Sequence, residues 1–412
     1  MNTNQSVVVV GGGIWGFSTA LHLAKLGVKD VTVVEQNAEA ALETTPRAAG
    51  LIGQIRTSSV MCRAIQYALD LLSNFKQQTG FDPGLHRTGS LLVAMTDERM
   101  EAYRGQLHRA SENGVDAHFV THTEMQRLSP GLNVSRLAGG YFIVGDGYLD
   151  PRQCALAFAA AAQDLGVTVR FSTRVHGLRL GNGRVRGIDT QHGIITADHV
   201  VVTAGPWTGI LAQHAGCQLP VQTIRHQRVV TEPVHGIPAH HPVVRVTDVS
   251  CYVRPEHGGY LYGFFEPNPT AIDLTNKPPD FRTADIPDAV ETMNEAQRRL
   301  SDVFPILGKL RVSKRIQGIT TFAPDGRYVI GSVPGVEGLH LATGCAALGI
   351  AGSAAVGKWL AETIVTGKIP PELSEFKQER FGATARDSRW LRENALDFYG
   401  NYYALAPTSP DL

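Results

Sequence analysis

The chain has no surplus of charge of either sign: Lys plus Arg and Asp plus Glu each number 38 among 412 residues. With no basic excess to neutralise a phosphate backbone, nucleic acid is not expected as a partner. Cysteine is scarce and scattered: Cys62, Cys154, Cys217, Cys251 and Cys345 form no CxxC pair and are odd in number. That pattern argues against a disulfide framework, predicts no metal site and reads as reduced thiols. Long apolar runs are missing too. VVVV at 7–10 is far short of the roughly 20 residues of a membrane span, and no basic leader with a cleavage site precedes it. Together these absences predict a soluble, unexported, cytoplasmic protein without internal repeats or low-complexity tracts.

What is present is length and a particular order of elements. Single cores stop growing at roughly 250 to 300 residues, so a chain of this size predicts two intertwined domains. The opening SVVVVGGGIWGFSTALHLAKLGVKDVTVVEQ is an apolar run, a glycine cluster, a helix-period segment and a second apolar run. That is a βαβ unit and the start of a doubly wound parallel sheet. Later stretches repeat the character: a helix over 151–166, a strand over 167–175, a hairpin around GNGRV and a buried strand over 199–205. Residues 89–114 and 227–269 instead mix alternating strands with amphipathic helix, as an antiparallel sheet covered by helices does. A helix is also expected in DAVETMNEAQRRLSDVF, after the proline-rich connection at 276–288.

Gly11, Gly13 and Gly16 make a GxGxxG, and Glu35 stands 19 residues beyond the last of them. The first glycine permits a tight turn, the second lets backbone approach a pyrophosphate at a helix start, and the acid accepts bonds from a ribose diol. An acid there argues against a 2′-phosphate, hence FAD or NAD. The run ATGCAALGIAGSAAVGKWL (342–360) is read as a strand entering a helix of small residues. Such a helix start stabilises negative charge on a reduced flavin; close helix–sheet packing is the alternative reading. Among fifteen histidines, His226 is raised by its place at the entrance of a strand. Tyr252 and Arg254 form a candidate carboxylate clamp, with exposed alternation along a strand as the alternative and Tyr260 and Tyr262 as competitors.

Several motifs in one order carry a resemblance: TTPRAAGLIGQIR, GDGYLDP, HQRVVTEP, GGYLYGFFEPNP, GITTFAPDGRYVIG and the tail FKQERF…RDSRWLRENALDFYGNYYAL. Over nearly its whole length the chain resembles the FAD-dependent amino acid and amine oxidoreductases that include D-amino acid oxidase, glycine oxidase and sarcosine oxidase. It looks most like the flavin part of dimethylglycine and sarcosine dehydrogenases. The resemblance implies a Rossmann-like FAD domain over 1–86, 145–222 and 318–412, with an inserted antiparallel-sheet substrate domain over 87–144 and 223–317. It also implies contacts to FAD from Ile14, Trp15, Gln36, Thr45, Arg47, Ala48, Ala49, Gly50 and Leu51. Further contacts are implied from Val175, Ala204, Gly205 and Trp207, and from Gly344, Ala347, Leu348, Gly349 and Ile350.

The resemblance implies oxidation of the C–N bond of a secondary or tertiary amino acid, by hydride transfer to the flavin and hydrolysis of the resulting iminium. His226 would keep the amine neutral or orient it, and Tyr252 and Arg254 would face the carboxylate. Relatives usually continue into a folate-binding half, so release of formaldehyde, or its transfer to a separate protein, is expected here. The histidine that tethers FAD in dehydrogenase relatives is replaced by Arg47, and the tethering cysteine of monomeric sarcosine oxidases by Gly318, which predicts non-covalent FAD. Arg47 is then left to meet the FAD phosphates, the flavin edge or a surface acid. Leu261 stands for the oxygen-activating lysine, leaving oxygen or a redox protein as electron acceptor. Rival readings are a D-amino acid or proline-type dehydrogenase, a 2-hydroxy acid or polyol phosphate oxidoreductase, and a flavin subunit of an electron-transfer complex.

Overall fold

In a computed structural model describing residues 3–405, the strand Ser6–Val10 lies at the heart of a six-stranded sheet. The sheet runs Val329–Ser332, Leu339–Thr343, His199–Val202, Ser6–Val10, Asp30–Val34, Thr168–Arg170, parallel except for the first strand at its edge. Its inner strands are near-continuous Val because helices cover the sheet and leave little of the strands for water. The helix Ile14–Lys25 packs between Pro151–Asp164 and Ser353–Thr366. That close approach needs small residues: a Cβ on Gly16 would lie 1.9 Å from the Gly11 carbonyl oxygen.

A second sheet of eight strands runs Val312–Phe322, Gln222–Thr231, Gly259–Phe264, Cys251–Glu256, Val243–Val246, Ser90–Ala94, Gly139–Ile143, Ala117–Phe119. Helices Asp97–Glu112 and Val290–Ser301 accompany it, the latter packing its Met293, Ala296 and Leu300 into the sheet's own apolar core. Gln222–Thr231 and Val312–Phe322 pair along their length, with His226 opposite Gly318. The latter strand therefore runs across the 317/318 boundary read from the sequence. Of the expected domain spans, residues 1–2 and 406–412 lie outside the described residues.

Some expected elements differ. The strand expected over 167–175 is broken: Thr168–Arg170 ends, Ser172 takes a left-handed φ of 49°, and Val175–Gly181 starts the predicted hairpin. The helix read over 151–166 stops at Asp164, and the one in DAVETMNEAQRRLSDVF covers Val290–Ser301. The strand Leu339–Thr343 does not enter a helix directly, because Gly344, Ala346 and Ala347 all have positive φ and the helix begins only at Ser353. The loop ETTPRAAGLIGQIR contains a 3-10 turn, Thr45–Arg47, and a short strand, Leu51–Ile52, paired antiparallel with Gly147–Tyr148 of GDGYLDP.

Candidate active site

A cavity of about 770 Å³ opens at the carboxyl ends of the parallel strands and extends to the eight-stranded sheet. At one end it is lined by Gly11, Gly13, Ile14, Trp15, Glu35 and Gln36. Gly11 has a φ of 111°, and a Cβ there would fall 2.6 Å from the Thr203 carbonyl oxygen, so only glycine makes this turn. Gly13 caps the helix without a side-chain bond, while the Ile14 N–H donates to Thr45 Oγ1 at 3.2 Å. Glu35 accepts from the Gly12 N–H at 2.7 Å and from the Asn37 N–H at 2.9 Å; burial pushes its pKa up, and these bonds act against the rise. The backbone turn, helix start and acid are the parts a dinucleotide needs. Val175, Ala204, Gly205 and Trp207 complete this wall.

The middle of the cavity is walled by the loop Thr45, Arg47, Ala48, Ala49, Gly50 and Leu51 and, from another loop, by Ala347, Leu348, Gly349 and Ile350. Trp15 Nε1–H donates to the Gly349 carbonyl at 2.7 Å and ties that second loop to the first helix. Arg228, buried on the eight-stranded sheet, donates Nε–H to the Arg47 carbonyl and Nη2–H to the Pro46 carbonyl, both at 2.9 Å. Arg47 itself donates Nη1–H to the Gln317 carbonyl at 3.0 Å, and burial lowers its pKa. A Cβ on Gly318 would sit 3.3 Å from that of Arg47, so the two positions that the resemblance implied for a tether are neighbours here. Arg47 and Thr44 line the cavity, while Arg47 Nε and Thr44 Oγ1 themselves are buried without hydrogen-bond partners.

Two readings from the sequence are corrected. Gly16 and Gly344 do not line the cavity; Gly16 serves close packing against the Gly11 carbonyl. The helix Ser353–Thr366 starts too late for its first turn to line the cavity, and the loop before it does so instead. Gly50 lines the cavity, and its lack of a side chain is also required by the Leu149 carbonyl, 2.0 Å from where a Cβ would be, and by its φ of 73°.

At the far end stands His226, in the middle of the strand Gln222–Thr231 and not at its entrance. Its Nδ1 is 2.8 Å from Tyr399 Oη and its Nε2 is 3.2 Å from Tyr252 Oη. Burial, with a smaller contribution from the Arg228 charge, lowers its pKa to about 4, so the imidazole is neutral near pH 7. Phe265 packs on His226 and stacks with Tyr402 at 4.0 Å between ring centres. Arg254 is placed elsewhere. Its Nε–H donates to the Ala49 carbonyl at 2.7 Å, Nη1–H bonds Glu256, and the guanidinium lies over the Tyr148 ring. It supports the Arg47 loop from behind and does not line the cavity.

The cations that do line this end are Arg245 and Arg56. Arg245 sits opposite Tyr252 on the neighbouring strand and donates to Tyr403 Oη at 3.4 Å. Burial acts against its charge, but Tyr403 and Asp146 outweigh that and hold its pKa above the ordinary value. Arg56 donates Nη1–H to the Ile55 carbonyl at 2.6 Å and keeps Nε buried without a partner. Sequence reasoning missed Arg245, Tyr399, Tyr402 and Tyr403 as site residues and assigned no role to Arg56. The available signals were the second arginine of TTPRAAGLIGQIR and the tyrosines of the tail; VVRVTD around Arg245 carries none.

Among the described residues no cluster of potential metal ligands occurs, and no helix is long and apolar enough to cross a membrane. Residues 6–363 match the family described as FAD dependent oxidoreductase. The chain is 30% identical over 403 residues to 4-methylaminobutanoate oxidase (formaldehyde-forming) of Paenarthrobacter nicotinovorans, covering 98% of this chain and 49% of that protein. It is 30% identical over 410 residues to mitochondrial sarcosine dehydrogenase of Homo sapiens, covering 98% of this chain and 44% of the relative. The chain thus spans about half the length of the curated relatives it matches. The crystal structure of L-proline dehydrogenase from P. horikoshii superposes with a TM-score of 0.82 at 25% identity, covering 92% of this chain and 98% of the other.

Proposed function

The chain belongs to the FAD-dependent oxidoreductase family, and from that premise we propose that it oxidises the C–N bond of a secondary or tertiary amino acid of the N-methyl type. The observation that carries this reading is the far end of the cavity, where a neutral histidine, tyrosine hydroxyls and guanidinium groups converge beside aromatic rings.

The Gly11–Gly13 turn, Glu35, Thr45 and Arg47 would hold FAD, with no tethering residue at Arg47 or Gly318 and hence no covalent bond at those places. Bound FAD supplies the two-electron acceptor. Arg245 and Arg56 attract the substrate carboxylate, and the Tyr252 hydroxyl lies within reach of the same space. The same positive charges disfavour a protonated amine, leaving the nitrogen lone pair free to assist loss of hydride from the adjacent carbon. Neutral His226 adds no further charge and, wedged between Tyr252 and Tyr399, orients the Tyr252 hydroxyl. Phe265 and Tyr402 exclude water until oxidation is complete. Water then adds to the imine carbon, releasing the amine and an aldehyde or oxo acid.

Anaerobic bleaching of the flavin by a panel of N-methyl amino acids, D-amino acids, proline derivatives and 2-hydroxy acids tests the proposal. N-methyl amino acids are expected to bleach fastest, and air readmitted afterwards separates oxygen from a redox protein as acceptor. Fastest bleaching by hydroxy acids, or none by any amine, overturns the reading.

A further inference from the structure

At its Glu35 end the cavity is walled on one side by Leu274, Thr275, Lys277, Pro278 and Pro279, and on the facing side by Arg174. The first five belong to the proline-rich connection that leaves the eight-stranded sheet, not to the parallel sheet that carries Glu35. Each of residues 275–280 is also exposed to solvent. Here a single thickness of chain stands between the cavity and water.

This stretch is fastened at both ends and lightly held between them. Before it, the Ile272 N–H donates to the Thr223 carbonyl at 2.9 Å, and Leu274 is buried with Ile286 and Ile319. After it, the Thr283 N–H donates to Glu43 Oε2 at 2.9 Å, and Arg282 Nε lies 3.6 Å from Glu43 Oε1. Glu43 accepts in turn from the side chain of Asn37, which also bonds Glu35. Between these anchors the bonds are local. The Asp273 carboxylate accepts from the Thr275 N–H and the Asn276 amide, the Lys277 N–H donates to the Leu274 carbonyl, and the Phe281 N–H donates to the Pro278 carbonyl. Across the cavity, Arg174 Nη1–H donates to the Pro279 carbonyl. Pro278 and Pro279 have a fixed φ and no N–H to give, so the stretch is stiff in itself and free to swing as a unit once Arg174 lets go.

A dinucleotide with its pyrophosphate at the Gly11–Gly13 turn and its ribose at Glu35 lies with its adenosine half beneath this stretch. We propose that residues 273–280 are a strap over the adenosine half of FAD, latched by Arg174 and by the Glu43–Arg282 pair, and that its opening governs entry and release of the cofactor. The inference goes beyond the amine-oxidising reading and does not depend on which substrate is oxidised.

The test measures FAD association with apoenzyme and FAD release from holoenzyme, by quenching and recovery of flavin fluorescence, in the unaltered chain and in Arg174→Met and Arg282→Met. Loss of either latch lowers a barrier common to entry and exit, so both rates are expected to rise, each by roughly threefold to tenfold. Faster release with unchanged association would mark a plain contact to the cofactor, and two unchanged rates would mark no latch; either result overturns the inference. Should a variant fail to fold, hydrogen exchange in the unaltered chain decides. The amides of residues 273–277 are expected to exchange about tenfold more slowly with FAD than without it, while those of the helix Asp97–Glu112, away from the cavity, hold their rates. Equal exchange in the two states overturns the strap and leaves FAD binding standing, whereas failure to bind FAD removes both.

Discussion

Arg228 is buried in the eight-stranded sheet and spends its guanidinium on the carbonyls of Pro46 and Arg47, at 2.9 Å each. Burial, followed by the neighbouring Arg254 charge, lowers its pKa to about 10, so it stays charged at neutral pH. Its cost is offset by fixing the loop from which Arg47 lines the cavity. Arg228→Met should therefore weaken FAD binding by about tenfold, a fraction of the two charge-assisted bonds it removes. Titration of apoenzyme with FAD, followed by quenching of flavin fluorescence, measures this. Unchanged affinity would mean that the loop is held by other contacts.

The helix Ser388–Gly400 is the element that links the tail to the site, because Tyr399 leaves it to bond His226, and Tyr402 and Tyr403 follow it into the cavity wall. Asp387 caps it by accepting the N–H bonds of Arg389 at 2.9 Å and Trp390 at 3.1 Å. Asp387→Ala should cost about 1 kcal/mol and, by fraying the start of this helix, raise the substrate concentration needed for half-maximal rate. Thr121→Ala, which removes the capping box of the helix His122–Leu128 away from the cavity, is the control: a similar loss of stability with no change in substrate dependence. Equal kinetic effects of the two would sink the idea.

The same element shows where sequence reading stops. The first βαβ unit was legible because its turn needs glycines a few residues apart and its helix a local period, both visible in one short stretch. The convergence of Tyr399, Arg245 and His226 was not, since each belongs to a different element and no local pattern says which strand face meets the cavity. Tyr252 and Arg254 share a strand face by alternation, yet two residues along the strand suffice to move from the cavity to the underside of the Ala49 loop. Loop conformation hid the rest: positive φ at the non-glycine Ala346 and Ala347 delays a helix that composition alone would start earlier.

At the scale of the molecule, buried histidines couple both cores to pH. Burial is the leading cause that lowers the pKa from the ordinary 6.5 to about 4 in His22 and His241 and to about 3 in His340. His22 lies on the first helix, His340 in the parallel sheet and His241 against Tyr260 and Phe304 of the second core. Since each folded-state value lies below the unfolded one, the unfolded chain takes up protons that the folded chain refuses as pH drops below about 6.5. Stability is thus complete above that pH and falls progressively toward pH 4, by up to about 1.4 kcal/mol per pH unit for each histidine. Buried Glu35 and Asp146, whose pKa values burial raises, work in the opposite sense, but they are two carboxyls against four histidines once His226 in the cavity is counted. Urea unfolding of the holoenzyme should accordingly show a clearly lower midpoint at about pH 5 than at about pH 7.5, with loss of both cores in the same step. A midpoint that holds or rises on acidification would show that these histidines take up protons in place, through rearrangements that bring water or an acid to each ring.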